Sequence, residues 1–234
     1  MKAAILQPTY LPWMGYFEMI DSSDVFVVFD HVQFERKSWQ QRNMIKTANG
    51  VVPLTVPVQK MPRETNISEI KISYDHGNPL KDHWKTIELA YKKAPYFQEY
   101  KPFFEKVYSK KYVLLEDLNV EIIKLICNIL GIRTKIIFSS DLGLKDGNMA
   151  KTKKVVNLCR KQGIVHLYDT KGAEEILDKS LFKKDNIKIT FQNFQHPEYH
   201  QLWGEFVPYL SVIDLLFNEG NKSLSIIKSD IKNN

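Results

Sequence analysis

Ala3-Ala4-Ile5-Leu6-Gln7-Pro8-Thr9-Tyr10-Leu11-Pro12-Trp13-Met14-Gly15-Tyr16, followed closely by Val25-Phe26-Val27-Val28-Phe29-Asp30, is the stretch on which the fold turns. A continuous apolar run such as residues 3–6 marks a strand buried on both faces, since a half-exposed strand alternates. Pro8 and Pro12 break the run, and residues 15–20 have room for a helical turn or two. Residues 25–29 carry the strongest strand signal in the chain, closed by Asp30. Strand, loop, short helix and strand within thirty residues predict a parallel pair with a right-handed crossover.

Working outward, residues 33–58 turn polar and aromatic, then strand-like at 44–47 and 51–58 around the Asn49-Gly50 turn signal, which predicts a hairpin. Residues 67–73 read as another short strand. Helical spacing runs over 80–92, is interrupted at Ala94-Pro95, and resumes at 100–108. Residues 114–130 form the clearest amphipathic helix, ended by Gly131. Strands at 133–138, 164–168 and 187–191 then alternate with helices at 152–161 and 172–178, before a closing helix at 211–217. The expected fold is α/β: a mostly parallel, Rossmann-like sheet with flanking helices, a β-hairpin projection and a helical insertion at about 80–130. Without repeats or low-complexity linkers, residues 1–228 read as a single domain, and 229–234 as a flexible tail.

The chain has 234 residues, 44% hydrophobic and 26% charged, the balance of an ordinary globular protein. No window approaches eighteen consecutive apolar residues, so a membrane span is not expected. The first apolar run stops at Gln7-Pro8, too short for a signal peptide. Cys127 and Cys159 lie in helical segments and fit two buried thiols in a reducing, cytoplasmic compartment. No Cys or His pair has structural-zinc spacing, and no metal is expected. A net charge of +6 and a pI of about 9.1 favour anionic partners such as nucleotide phosphates. The lysines are clustered, however, as solvated faces usually are, and charge alone does not establish nucleic-acid binding. A glycine-rich phosphate loop, a Gly-x-Ser-x-Gly elbow and a dinucleotide fingerprint are all missing, which counts against kinase, serine-hydrolase and standard dehydrogenase readings.

Three segments hold polar and aromatic groups that packing alone does not explain. In residues 7–16, Gln7 has an amide that can donate and accept, and Tyr10, Trp13 and Tyr16 offer rings to a base or sugar. The loop follows a parallel strand, where open α/β sheets form their ligand crevice, although aromatic packing of a loop is the plain alternative. In residues 24–43, Asp30 stands where acids bind ribose hydroxyls or act as a base, or where a turn needs an Asp. Arg42 beside Asn43 could clamp a phosphate, or form a surface ion pair; Gln33, Ser38 and Trp39 crowd the same stretch. In residues 194–201, His196 could carry a proton for acyl or aminoacyl transfer, with Tyr199 and Gln201 close by. Ser211 reads as a helix N-cap with Asp214 in the capping-box position.

The same segments carry a family resemblance. Gln7-Pro8-x-Tyr10-Leu11-Pro12-Trp13-x-Gly15-Tyr16-Phe17, Asp30-x-Val32-Gln33-Phe34 and Ser38-Trp39-x-x-Arg42-Asn43 resemble the first half of the WbqC-like pattern. His196-Pro197-x-Tyr199-x-Gln201 and Leu210-Ser211-x-Ile213-Asp214-Leu215-Leu216-Phe217-Asn218 resemble the second. A departure falls at Tyr168-Asp169-Thr170-Lys171-Gly172-Ala173, where a Tyr-Leu-Ser-Gly-like turn is expected. The resemblance implies bacterial surface-polysaccharide biosynthesis, including O-antigen clusters that make acylated amino sugars. The leading expectation is a transferase placing an acyl or aminoacyl group, glycyl being one candidate, on a nucleotide-linked amino sugar. Asp30 or His196 would take the amine proton and Arg42 an anionic group. The donor would be ATP with the free acid, or another activated acyl or aminoacyl donor such as charged tRNA. A nucleotidyltransferase-like enzyme stands second, because this sequence lacks the His-x-Gly-His histidines. A non-catalytic sugar-nucleotide-binding accessory protein is the third reading; oligomeric state is left open by the sequence.

Overall fold

The computed structural model describes residues 1–144, 147 and 149–229. Its centre is β1 (Lys2–Leu6), paired in parallel with β2 (Val25–Val28) on one side and β6 (His166–Asp169) on the other. A strand flanked on both edges and covered on both faces has no solvent side, which is why its sequence is a continuous apolar run. Successive side chains still point to opposite faces. Ala4, Leu6, Phe26 and Val28 enter one hydrophobic core, while Ala3, Ile5, Val25 and Val27 enter the other.

With β5 (Lys135–Phe138) and β7 (Lys188–Phe191) at the edges, the parallel sheet has the order β5-β2-β1-β6-β7. The chain winds outward from β1 through β2 to β5, then crosses back to β6 and β7. The order reverses between β1 and β6. The larger core receives α1 (Met14–Asp21), the helical insertion α2 (Pro79–Tyr91), α3 (Phe97–Tyr108) and α4 (Leu115–Leu130), and α7 (Val212–Glu219) and α8 (Ser223–Ile227). The smaller core receives α5 (Lys151–Gln162) and α6 (Lys179–Lys184). The α/β fold with a parallel sheet, a hairpin and a helical insertion is as the sequence predicts.

Local chemistry sets the helix ends. Asn78 caps α2 through the Leu80 and Lys81 amides with Pro79 at the first position, and Gly131 ends α4 at φ 75°. Phe217 on α7 meets Tyr91, Phe97 and Phe104 edge-on or tilted at 5.1–5.3 Å between ring centres, which fastens α7 to the insertion.

Two elements differ from expectation. Residues 67–73 are not a strand: a 3-10 turn at Ile67–Glu69 comes first, because Asn66 and Glu69 form a reciprocal capping box that competes with extension. Single bridges from Lys71 to Leu114 and from Ile72 to Val58 follow. The helix expected at 172–178 is a short 3-10 turn at Lys171–Ala173, and the helix proper is α6. Asp178, expected as its last residue, instead caps α6 by accepting from the Ser180 amide. Ser211 caps α7 as expected, but Asp214 accepts from Tyr91 and Tyr199 rather than closing a capping box. Ser229 is described; the remainder of the expected tail, residues 230–234, lies outside the described residues.

The hairpin of β3 (Arg42–Thr47) and β4 (Gly50–Thr55) forms a separate two-stranded sheet that holds the first loop in place. Asn43 Nδ2 donates to the Leu11 carbonyl at 2.6 Å and the Tyr10 carbonyl at 3.3 Å. From α4, Asn119 Nδ2 donates to the carbonyls of Pro8 (3.1 Å) and Gln40 (2.8 Å). Asn119 is fully buried, so these carbonyls have no water to fall back on. Asn119→Leu keeps the branched outline, at a larger volume, and removes both donors. It is expected to lower stability by about 2–4 kcal/mol in urea unfolding, two buried carbonyls being left unpaired.

Candidate functional site

The reversal of strand order leaves a crevice at the carboxyl ends of β1 and β6, where the two halves of the chain diverge. A cavity of about 650 Å³ occupies it. Gln7 follows β1, Asp169 ends β6 with Thr170 directly after it, and Gln192 follows β7. Trp13 and Tyr16 of the α1 entry form one wall, and Lys151 and Val155 on the first turns of α5 form another. Trp39 and Tyr209 stand at the rim, 56% and 58% exposed, so their ring faces are available to a ligand.

The α1 wall depends on Gly15. The Trp13 ring folds back over this glycine so closely that an added Cβ would overlap it. Phe194 and Tyr209 hold the indole from its other sides, at 5.2 and 5.7 Å between ring centres. Tyr209 has a left-handed backbone at φ 60°, unusual for an aromatic residue, and Leu11 in the first loop has φ 46°. Strained backbone of this kind persists only where surrounding contacts enforce it.

Two crevice amides have fixed orientation. Gln7 Oε1 accepts from Gln40 Nε2 at 2.9 Å, and Gln40 Oε1 accepts from the Glu35 amide at 3.1 Å. Gln192 Nε2 donates to the Gly15 carbonyl at 2.8 Å and to buried Glu18 at 2.6 Å, both pure acceptors. The crevice acid is Asp169. Burial pushes its carboxyl above the usual range, while the Thr170 amide, 2.7 Å from Oδ1, and the Lys151 charge pull it back.

Of the residues singled out in the sequence, Gln7, Trp13, Tyr16, Trp39 and Asn43 line the crevice. Asn43 has its amide committed to the first loop. Tyr10 is fully buried, its hydroxyl 2.8 Å from both His83 and Tyr108, and presents no face to a ligand. Arg42 and Gln33 are exposed and Ser38 is half-buried, and all three stand outside the cavity; Ser38 caps the Glu35 carbonyl. Tyr199 and Gln201 belong to a buried network that joins Asp214 on α7 to Lys46 on the hairpin. His196 sits among Phe194, Tyr199, Phe206 and Tyr209, with burial pushing its imidazole below the ordinary value. Its Nδ1 is 3.0 Å from the Pro197 carbonyl, and Tyr209 is the member of this box that reaches the crevice.

Asp30 stands at the end of β2, outside the crevice. Its carboxylate accepts from Ser139 Oγ (2.6 Å), the Ser140 amide (2.8 Å) and Ser140 Oγ (2.5 Å). Burial pushes Asp30 up, but these bonds and one from Glu116 outweigh it and hold Asp30 below the usual range. Glu116 at the start of α4 moves the other way. Burial, then the Asp30 charge and the hydrogen bond to it, push Glu116 up to about 8. The two carboxyls share one proton at neutral pH. Lys151, Asp169, Gln192 and Tyr209 are crevice residues that sequence reasoning missed. Asp169 carries the same signal as Asp30, an acid directly after an apolar strand. Among the described residues, no group of three or more His, Cys, Asp or Glu side chains is placed to hold a metal ion.

The Glu116 proton makes stability depend on pH. The folded chain keeps the proton up to about pH 8, whereas the unfolded chain releases it near 4.5, so stability falls as pH rises between those values. Buried His83, pushed down to about 4 from 6.5, gives the opposite slope at lower pH. Between pH 6.5 and 8.5 the Glu116 slope stands alone of the two. Glu116→Gln keeps a donor for Asp30 and removes the titration. Urea midpoints are expected to fall across this interval in the wild type and to flatten in the variant.

Comparison with known proteins identifies a family and a relative. The sequence model of the WbqC-like protein family matches residues 7–226. A protein of Mycobacterium tuberculosis, "Uncharacterized protein Rv1507c", is 36% identical over 222 residues, covering 94% of each chain. No solved structure matches. The family match begins at the crevice residue Gln7 and ends in α8, so that only residues 1–6 and 227–234 fall outside it: the chain belongs to the WbqC-like protein family.

Proposed function

We propose that the chain transfers an acyl or aminoacyl group to the amine of a nucleotide-linked amino sugar bound in the crevice between β1 and β6. The observation that carries this reading is Asp169, a buried acid of raised pKa inside an aromatic-walled crevice with Lys151 beside it. Trp39 and Tyr209 offer ring faces to base and sugar. In this reading Lys151, at the first position of α5, takes a phosphate, and the helix dipole adds to its charge. The family's association with surface polysaccharides supports an amino sugar as acceptor.

In this reading the sugar amine attacks the carbonyl carbon of the activated donor. A C–N bond forms, the bond from that carbon to the donor's leaving group breaks, and the proton from nitrogen passes to Asp169. Asp169 assumes the role that the sequence offered to Asp30 or His196, and Lys151 the role offered to Arg42. The raised pKa brings the carboxylate closer in basicity to the proton it must accept.

Purified protein incubated with nucleotide-linked amino sugars and either charged tRNA or ATP with glycine is expected to increase the sugar's mass by one glycyl unit. Asp169→Asn is expected to lower kcat about 10²–10⁴-fold while sugar-nucleotide binding persists. The rate should rise with pH along an acidic limb set above the ordinary carboxylate range. Binding without product under every acyl donor tested would instead favour an accessory protein. Pyrophosphate release without sugar acylation would favour a nucleotidyltransferase.

A further inference from the structure

The two fixed amides define what a ligand must offer. Gln7 has its carbonyl oxygen occupied by Gln40, which leaves Nε2 as a donor. Gln192 has Nε2 occupied by Gly15 and Glu18, which leaves Oε1 as an acceptor. Neither Gln7 Nε2 nor Gln192 Oε1 has a protein partner among the described residues, and neither is a sealed, unpaired atom, so each keeps solvent access on a residue that lines the cavity. Both amides border the first turn of α1. Gln192 holds the Gly15 carbonyl, and the Gln7 carbonyl accepts from Tyr16 Oη at 3.1 Å.

Rotating either amide would set acceptor against acceptor or leave a buried donor unpaired, so the polarity belongs to the framework. A ligand that satisfies both groups supplies an acceptor to Gln7 and a donor to Gln192. We infer that the crevice selects a nucleoside diphosphate whose base carries a lactam edge, with C=O beside N–H, as in uracil, thymine and guanine. Held in the same pose by ribose and diphosphate, cytosine and adenine present the reverse, with an amino group toward Gln7 and a bare ring nitrogen toward Gln192. The aromatic rim stacks on either kind of base, so discrimination falls to Gln7 and Gln192. This inference rests on the nucleotide-sugar reading above and adds the class of base to it.

Calorimetric titration with UDP, dTDP, GDP, CDP and ADP tests it. UDP and CDP differ at the edge in question, and UDP is expected to bind about ten- to a hundredfold more tightly. Gln7→Glu keeps the oxygen that accepts from Gln40 and turns the free donor into an acceptor. Its thermal midpoint should stay near that of the wild type, while UDP affinity falls at least about tenfold and the preference over CDP collapses. CDP or ADP binding as tightly as UDP would overturn the lactam selection and leave the nucleotide reading standing. An unchanged preference in Gln7→Glu would overturn the role of Gln7. Failure of all five nucleotides to bind would overturn both readings.

Discussion

Residues 7–13 are irregular backbone inside the protein, and their carbonyls need donors that no helix or strand ladder supplies. Pro8 and Pro12 make regular pairing harder still, because they lack an N–H and fix φ. Distant segments answer one carbonyl after another. Tyr16 Oη reaches that of Gln7, Asn119 that of Pro8, Asn43 those of Tyr10 and Leu11, and the Val212 amide that of Pro12. The hairpin, the helical insertion and the C-terminal helix are thereby fixed on one loop. The crevice inherits its shape from that convergence, since Trp13 can fold over Gly15 only when the loop holds this path.

Much of the architecture was legible in local sequence. The apolar runs at β1 and β2, the Gly131 terminator and the Ser211 cap each depend on neighbours within a turn or two. The failures were also local competitions. Asn66 and Glu69 folded an apparent strand into a 3-10 turn, and Asp178 worked as a helix start rather than a helix end. Periodicity is blind to such reciprocal caps, because the residues that decide them lie outside the apolar pattern.

The site was legible by half. Gln7, Trp13, Tyr16 and Trp39 belong to the crevice as the loop's position after β1 implied. Two acids follow apolar strands, however, and only strand order tells them apart. Asp30 follows β2, whose neighbours are β1 and β5, and is drawn into the cluster of Ser139, Ser140 and Glu116. Asp169 ends β6, the strand across the reversal from β1, and lines the cavity. Strand order is a long-range property, set by which crossover passes which face of the sheet. No spacing around residue 30 or 169 encodes it. Tyr199 and Gln201 illustrate the same limit: conspicuous polar groups in a row serve to satisfy buried Lys46 and Asp214.

The central claim is one of location: the ligand occupies the opening between β1 and β6, walled by the first loop. Amide hydrogen exchange with and without a UDP-linked amino sugar reads this directly along the chain. A ligand in that opening slows exchange in residues 7–17, 169–173 and 192–193, with little change around Asp30, Glu116 and Ser139. Protection centred on that second cluster, with the first loop unaffected, would contradict it.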